Sequence, residues 1–268
     1  MSNTGSARTG SGAETLGSEP APQAALPAEP VLRAEGVGKH FGGVWAVNDG
    51  SVTVADNEVL GIIGPNGAGK TTLINLIAGA FRPNSGHIFF RGKDITGLSP
   101  YRRARQGIGR TFQLIRPFAS LSVGDNLRAA ALACGARSAD AQRRADLAME
   151  QLGLGPLRNK MGAELNAVEG KRLEVARALA IQPSLLLLDE IFSGSNAGEV
   201  DELVMLVRRL RRDGLTVLVI EHNVRAIRAV ADRVVAMNAG QIISEGSAEN
   251  VFSDPGVVES YLGQQSQA

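Results

Sequence analysis

The sequence predicts an α/β fold, a parallel sheet buried on both faces whose strand ends gather around a phosphate-binding loop. Three stretches predict it. Val59–Ile63 is a short apolar run without alternation, as a strand covered on both sides requires, and it leads directly into Gly64-Pro-Asn-Gly-Ala-Gly69-Lys70-Thr71. Pro183-Ser-Leu185-Leu-Leu-Leu188-Asp189-Glu190 is a second buried strand, ending in two acids. Thr216-Val-Leu-Val-Ile220-Glu221-His222 repeats that design with a different polar pair.

The loop has the chemistry of a phosphate cradle. Its glycines let backbone N–H groups converge without a Cβ between them, and the first turn of the following helix adds N–H groups that have no partner within the helix. Gly64, Pro65, Asn66, Gly67, Ala68, Gly69, Lys70, Thr71 and Thr72 are the candidate contacts to a nucleotide. Lys70 supplies a compact positive charge for the β- and γ-phosphates, and the Thr71 hydroxyl is a ligand for Mg²⁺. The bland alternative, a glycine-rich turn between strand and helix, accounts for neither the lysine nor the threonine.

Composition narrows the remaining classes. The chain is 44% hydrophobic and 21% charged with a formal net charge of +1, which argues against a broad basic field for gripping nucleic acid. A lone cysteine, Cys134, excludes an internal disulfide framework and fits a reducing compartment. No apolar run has the length to span a bilayer, so membrane association is expected through a partner. Residues 1–30 are rich in Ser, Gly, Ala, Thr and Pro, and are expected to be a disordered tail without a secretory h-region. The folded part is expected over 31–263, with 264–268 a short tail.

Taken in order, Val31–Ala34, Val44–Val47 and Ser51–Val54 read as short strands separated by Gly and Asn-Asp-Gly turns. Phe41 and Trp45 flank Gly42-Gly43, ahead of the phosphate loop. Phe41 is the candidate to stack on a nucleotide base, and Trp45 is expected to fill a small β-subdomain core. His87–Phe90 reads as a strand and Arg91–Asp94 as a turn. Tyr101–Arg105 is read as a solvated basic face, as is Arg208–Arg212. Ile108-Gly-Arg-Thr-Phe-Gln113 ends a strand-like segment in a glutamine that could bind metal or water, or be an ordinary surface amide. Asn126–Leu154 is Ala/Leu/Arg-rich and helical by pattern, an insertion of helices into the α/β core. Asn166 with Glu169 forms a capping box for the helix that follows. The chain ends in small strands at Val234–Met237 and Gln241–Ser244 and a short helix over Val257–Leu262.

Acids at the C-terminal edge of a parallel strand lie where such sheets bind ligands. Asp189 is the candidate to hold Mg²⁺, and Glu190 to orient or deprotonate an attacking water. His222 ends a strand expected to adjoin that of Asp189, which favours a γ-phosphate contact over a purely structural role.

GPNGAGKTT, the RTFQ glutamine, LLLLDE and the IEH histidine, in this order, resemble the nucleotide-binding domain of ABC transporters over essentially 31–263. FGGVWAVND, GIGRTFQLIRPFASLSVGDNL, KRLEVARALA and the ending DPGVVESYLG resemble more narrowly the first ATP-binding subunit of branched-chain amino-acid importers. The resemblance implies a P-loop NTPase (RecA-like) core, an antiparallel β-subdomain and an α-helical subdomain inserted at about 114–178. It implies Phe41 on adenine, Gln113 sensing Mg²⁺ and water, Asp189 on the metal, Glu190 as catalytic base and His222 on the γ-phosphate. It further implies ATP hydrolysis coupled to import by a head-to-tail dimer on the cytoplasmic face of the membrane. Its partners would be a second ATPase subunit, two permease subunits and, indirectly, a solute-binding protein. A permease coupling helix would dock in a groove near Ile115, Pro117 and Phe118. Branched-chain amino acids, urea, amides and aromatic acids are all compatible solutes.

One departure has chemical content. Where the family has a signature like L-S-G-G-Q, this chain has Leu165-Asn166-Ala167-Val168-Glu169. Val168 is β-branched where a backbone should approach phosphate, and Glu169 brings a negative charge. At ~8 Å and an effective dielectric of ~20 that charge repels phosphate by roughly 2 kcal/mol per unit charge. The following Lys171 and Arg172 are expected to offset part of it. Ile191, Ser195 and Ala197 also depart from the family's Pro, Leu and Pro, whereas Asn196 fits. The expectation is a heterodimer with one competent and one degenerate site, the alternative being a regulatory ABC ATPase subunit that hardly hydrolyses.

Overall fold

In the computed structural model, residues 29–111 and 117–265 are described. Gln113 and Ile115 lie outside them. The chain runs β1 (Leu32–Phe41), β2 (Val44–Val54), β3 (Val59–Ile63), α1 (Lys70–Ala78), β4 (Ser85–Phe90), β5 (Lys93–Asp94), α2 (Pro100–Gln106) and β6 (Ile108–Arg110). It continues through α3 (Val123–Ala133), α4 (Ser138–Gln151), α5 (Ala167–Ala180), β7 (Leu185–Asp189), α6 (Ala197–Arg212), β8 (Thr216–Ile220) and α7 (Val224–Val230). The last elements are β9 (Arg233–Asn238), β10 (Gln241–Gly246), α8 (Ala248–Ser253) and α9 (Pro255–Gln265).

Two sheets result. The larger has the order β10-β9-β3-β8-β7-β6, parallel except for the β9–β10 pair. All five residues of β3, β7 and β8 are buried, which is why their sequences read as unbroken apolar runs. Strand alternation divides them between two cores. Val59, Ile63, Leu186, Leu188, Val217 and Val219 face one, with α5, α6 and α7, whereas Leu60, Ile62, Leu185, Leu187, Leu218 and Ile220 face the other, with α1 and the smaller sheet.

The smaller, antiparallel sheet has the order β2-β1-β4-β5. Three sequence expectations change here. The pieces at Val44–Val47 and Ser51–Val54 belong to a single strand, because Asn48-Asp49-Gly50 forms a bulge in it rather than a turn; Asp49 takes φ 55°. Only Arg91 and Gly92 make the turn after β4, both at positive φ, and Lys93 already pairs with Phe90. Trp45 does not fill a core. It is 46% exposed near the β1–β2 tip, its ring set edge-on to His40 at 5.0 Å.

The basic run at Tyr101–Arg105 is not a uniformly solvated face either. Arg103 is 1% exposed and donates to the carbonyls of Leu76 at 2.6 Å, Ile77 at 2.7 Å, Thr96 at 2.9 Å and Leu98 at 3.1 Å. It therefore caps the C-terminal end of α1, where the helix dipole favours a cation. Between β6 and β7, α3, α4 and α5 pack on one another as a helical layer. Among the described residues no helix is long and apolar enough to cross a membrane.

Candidate nucleotide site

Three strand ends and one helix start meet at the C-terminal edge of the large sheet. The loop from Gly64 to Gly69 joins β3 to α1. Gly69 is the N-cap of α1 at φ 102°, and a Cβ there would lie 2.2 Å from the Ala46 carbonyl oxygen. Only glycine permits both the dihedral and the approach. Gly67, at φ 80°, is exposed with nothing within 4 Å of an added Cβ, so its backbone faces open space. Helix α1 has no side-chain cap and no acid in its first turn, leaving its positive end available to an anion. Asn66 and Thr71 are exposed, Thr72 is half-buried, and Pro65 and Ala68 are buried.

Lys70 is 6% exposed, and its ammonium donates to the Gly64 carbonyl at 2.7 Å and the Pro65 carbonyl at 3.0 Å. Burial pulls its pKa down, while the carboxylates of Glu190, Asp189 and Glu221 push it back up. The phosphate-loop lysine and the acids of β7 and β8 thus share one electrostatic site.

Asp189 ends β7 at 3% exposure. Its Oδ2 accepts from Arg110 at 3.1 Å, and Arg110 also donates to Asn75 Oδ1 on α1 at 2.7 Å. Burial raises the Asp189 pKa, against the opposing pull of Arg110. Asp189 Oδ1 is buried with no hydrogen-bond partner among the described residues. One orphaned carboxylate oxygen, a threonine hydroxyl at the helix start and phosphate oxygens form the hard oxygen set that magnesium prefers. The residues present fit that ion.

Glu190 follows at φ 53°, in the left-handed region that a non-glycine residue seldom adopts, and its N–H donates to the Ile220 carbonyl at 3.0 Å. Glu221, one residue past β8, is fully buried. Its Oε1 accepts from the Phe192 N–H at 2.8 Å, and Oε2 has no partner among the described residues. Burial pushes the Glu221 carboxyl up to about 7. His222 comes next and is exposed. The β7–β8 adjacency expected for His222 is present, with Asp189 opposite Ile220.

Phe41 is 48% exposed at the end of β1, edge-on to Phe81 at 5.3 Å with Lys39 over its face. An exposed ring suits stacking on a base better than a core role.

The Leu165–Glu169 segment has the capping box expected from sequence and differs from its reading there only in the counter-charge of Glu169. Glu169 completes the capping box, accepting from the Asn166 N–H at 3.0 Å while its own N–H donates to Asn166 Oδ1 at 2.9 Å. Its counter-charge is Lys160 at 2.6 Å, not the residues that follow it. The Lys160 ammonium and the Asn166 amide hold the Glu169 carboxyl below the usual range. Lys171 instead fastens α5 to the loop after β7, donating to the Ser193 carbonyl and, at 2.8 Å, to Ser195 Oγ; Arg172 pairs with Glu202. Asn196 is occupied as the N-cap of α6 with Glu199.

Sequence reasoning assigned no role to Arg110, Glu221 or Lys160. Arg110 was visible inside the RTFQ block and Glu221 inside the polar pair ending β8. The Lys160–Glu169 pairing spans nine residues across a 3₁₀ turn and leaves no local pattern.

A strand, glycine loop and helix facing an acid-tipped parallel strand define a P-loop nucleotide-binding ATPase. The family model described as ABC transporter matches residues 47–193. The lipopolysaccharide export ATP-binding protein LptB of Acidithiobacillus ferridurans is 38% identical over 237 residues, covering 88% of this chain and 98% of its own length. The high-affinity branched-chain amino acid transport ATP-binding protein LivG of Salmonella typhimurium is 36% identical over 252 residues, covering 88% and 99%. Among solved structures, the ADP conformation of MJ1267, an ATP-binding cassette of an ABC transporter, superposes with a TM-score of 0.80 at 33% identity, covering 88% of this chain and 100% of its own. The chain belongs to the ABC transporter ATP-binding family. It is an ABC ATPase subunit of a transporter.

Proposed function

We propose that this chain is the ATP-hydrolysing subunit of an ABC importer for amino acids, paired head to tail with a second, different ATPase subunit. It would sit on the cytoplasmic face of the membrane beneath two permease subunits served by a solute-binding protein. The backbone of Gly64–Gly69 and the start of α1 hold the triphosphate, Phe41 stacks on adenine, and Lys70 leaves the loop carbonyls to neutralise the β- and γ-phosphates. Thr71, Asp189 and Gln113 are the protein groups that would hold Mg²⁺, which supplies charge neutralisation at the phosphates. Glu190 takes the proton of the attacking water, and His222 contacts the γ-phosphate.

Two observations carry this reading: the shared electrostatic site of Lys70, Asp189 and Glu190, and a signature helix whose Asn166 and Glu169 are engaged with each other. The sequence carries each motor residue that the resemblance names, whereas its signature departs from the family's. Purified four-subunit complex tests it. Glu190→Gln here should reduce ATP turnover by about 10²–10⁴-fold, and the same change at the corresponding acid of the partner ATPase should matter far less. Equal losses would refute the asymmetry.

The amino-acid solute is supported by the resemblance to LivG and by the ending DPGVVESYLG. The groove of about 320 Å³ lined by Ala78, Ile108, Ala130 and Ala178, with Glu174 and Arg177 at its side and Phe118 under the Arg177 guanidinium, offers a largely apolar seat for a permease helix. A second reading, lipopolysaccharide export, is favoured by the 38% identity to LptB. Affinity purification of the tagged chain from its own membranes separates them: multi-span importer permeases support the first reading, and lipopolysaccharide-export permeases overturn it.

A further inference from the structure

The segment at the C-terminal end of the chain has no part in the chemistry so far, yet it touches the phosphate loop. Helix α9 docks through Val257, 2% exposed, and through the half-buried Tyr261 one turn later on the same face. The Tyr261 hydroxyl accepts the Gly64 N–H at 2.8 Å, across 197 residues of sequence. Gly64 is the first residue of the phosphate loop, and it is pressed against β9 so closely that a Cβ would meet the Met237 carbonyl oxygen at 2.2 Å. Both of its backbone polar groups are held by side chains. Tyr261 takes the N–H, and Lys70 takes the carbonyl at 2.7 Å.

These two anchors differ in one respect. The Lys70 ammonium is the group that phosphate attracts, and with two of its three protons on the Gly64 and Pro65 carbonyls it cannot contact both the β- and γ-phosphates without releasing a carbonyl. When Lys70 turns to the nucleotide, Tyr261 is the remaining side chain that holds Gly64. We propose that Tyr261 is a positioning residue for nucleotide binding: its hydroxyl keeps the first residue of the phosphate loop in place once Lys70 has moved to phosphate. The terminal helix is thereby a structural part of the ATP site, although it lies outside the family match at 47–193. Burial keeps the phenol neutral by pushing its pKa up, so this acceptor is unchanged across the working pH range.

Because Lys70 supports the same loop in the nucleotide-free state, the loss of Tyr261 is felt mainly in the bound state. Full-length Tyr261→Phe, which keeps the ring and removes only the oxygen, should weaken ATP binding by about three- to tenfold in EDTA, where no hydrolysis occurs. Its melting temperature should stay near that of the parent chain. Val257→Ala, which loosens the same helix without touching the bond, should lower the melting temperature and leave ATP affinity within about twofold. Hydrogen exchange reads the contact directly, since Gly64 precedes Pro65 and its amide is isolated from the next donor. In the parent chain that amide should stay protected when ATP is added, and in Tyr261→Phe it should exchange faster with ATP than without. Unchanged ATP affinity in Tyr261→Phe, or equal weakening by Val257→Ala, would overturn the proposal. If Tyr261→Phe gives no soluble protein, loss of Gly64 protection on adding ATP to the parent chain would overturn it alone, and retained protection would support it.

Discussion

Glu221 is a carboxyl whose charge this fold opposes, and replacing it by glutamine should make the protein more stable as the pH rises. The carboxyl is fully buried, with one oxygen accepting from Phe192 N–H and the other without a partner among the described residues. Burial lifts its pKa from 4.5 to about 7, helped by the nearby Glu190 and opposed by the N–H groups of Phe192, His222 and Asn223. A carboxyl with a raised folded-state pKa binds its proton more tightly when folded, so stability is full below about pH 4.5 and falls as pH rises through 7. A rise of that size corresponds to about 3 kcal/mol between the two limits. Glutamine keeps a carbonyl for the Phe192 amide and carries no charge. Urea unfolding of the full chain and of Glu221→Gln at about pH 5, 6.5 and 8 should therefore give curves that separate with pH, the variant gaining about 2–3 kcal/mol over the range. Other titrating groups cancel in the difference. Parallel pH profiles would refute the reasoning, because they would mean that the carboxyl carries the same charge folded and unfolded.

Arg103→Ala should destabilise the chain by about 3–5 kcal/mol in the same assay, since it uncaps α1 and leaves the Leu76, Ile77, Thr96 and Leu98 carbonyls without their donor; a loss below about 1 kcal/mol would mean that water replaces the guanidinium. Phe41→Ala should weaken ATP binding by about 0.5–1.5 kcal/mol through the lost ring contact, and Trp45→Ala should leave it unchanged; titration with a fluorescent ATP analogue checks both, and the opposite ranking would reverse the assignment of the stacking ring.

The parts of the site that were legible in the sequence are those where one local pattern has one structural solution. The apolar runs before Gly64, Asp189 and Glu221 allow only strands buried on both faces, and the glycine loop allows only a strand-to-helix turn. What escaped depends on partners distant in sequence. Arg103 reads as a surface cation until the C-terminal end of α1, 26 residues away, comes to meet it. Trp45 reads as core by residue type, but β1 and β2 run on past the small sheet's core and carry the ring out with them. Glu169 reads in sequence as offset in part by the Lys171 and Arg172 that follow it, whereas its counter-ion, Lys160, precedes the helix by a 3₁₀ turn. The bulge at Asp49 was hidden for a different reason, since Asn-Asp-Gly is equally good chemistry for a hairpin turn.

The strand pairing of the large sheet has a consequence for how far the site can drift. Ile62, Ile220 and Asp189 stand in a single transverse row, each bonded strand to its neighbour. Displacing β7 by one rung would carry Asp189 about 3.3 Å along the sheet and turn it to the opposite side. The leucines around it would be exchanged between the two cores in the same movement. Alignment of the reactive groups is thus guarded by the entire apolar interior. Mutations that accumulate at the surface can alter the signature, the loops and the partners while leaving the distance from lysine to carboxylate intact.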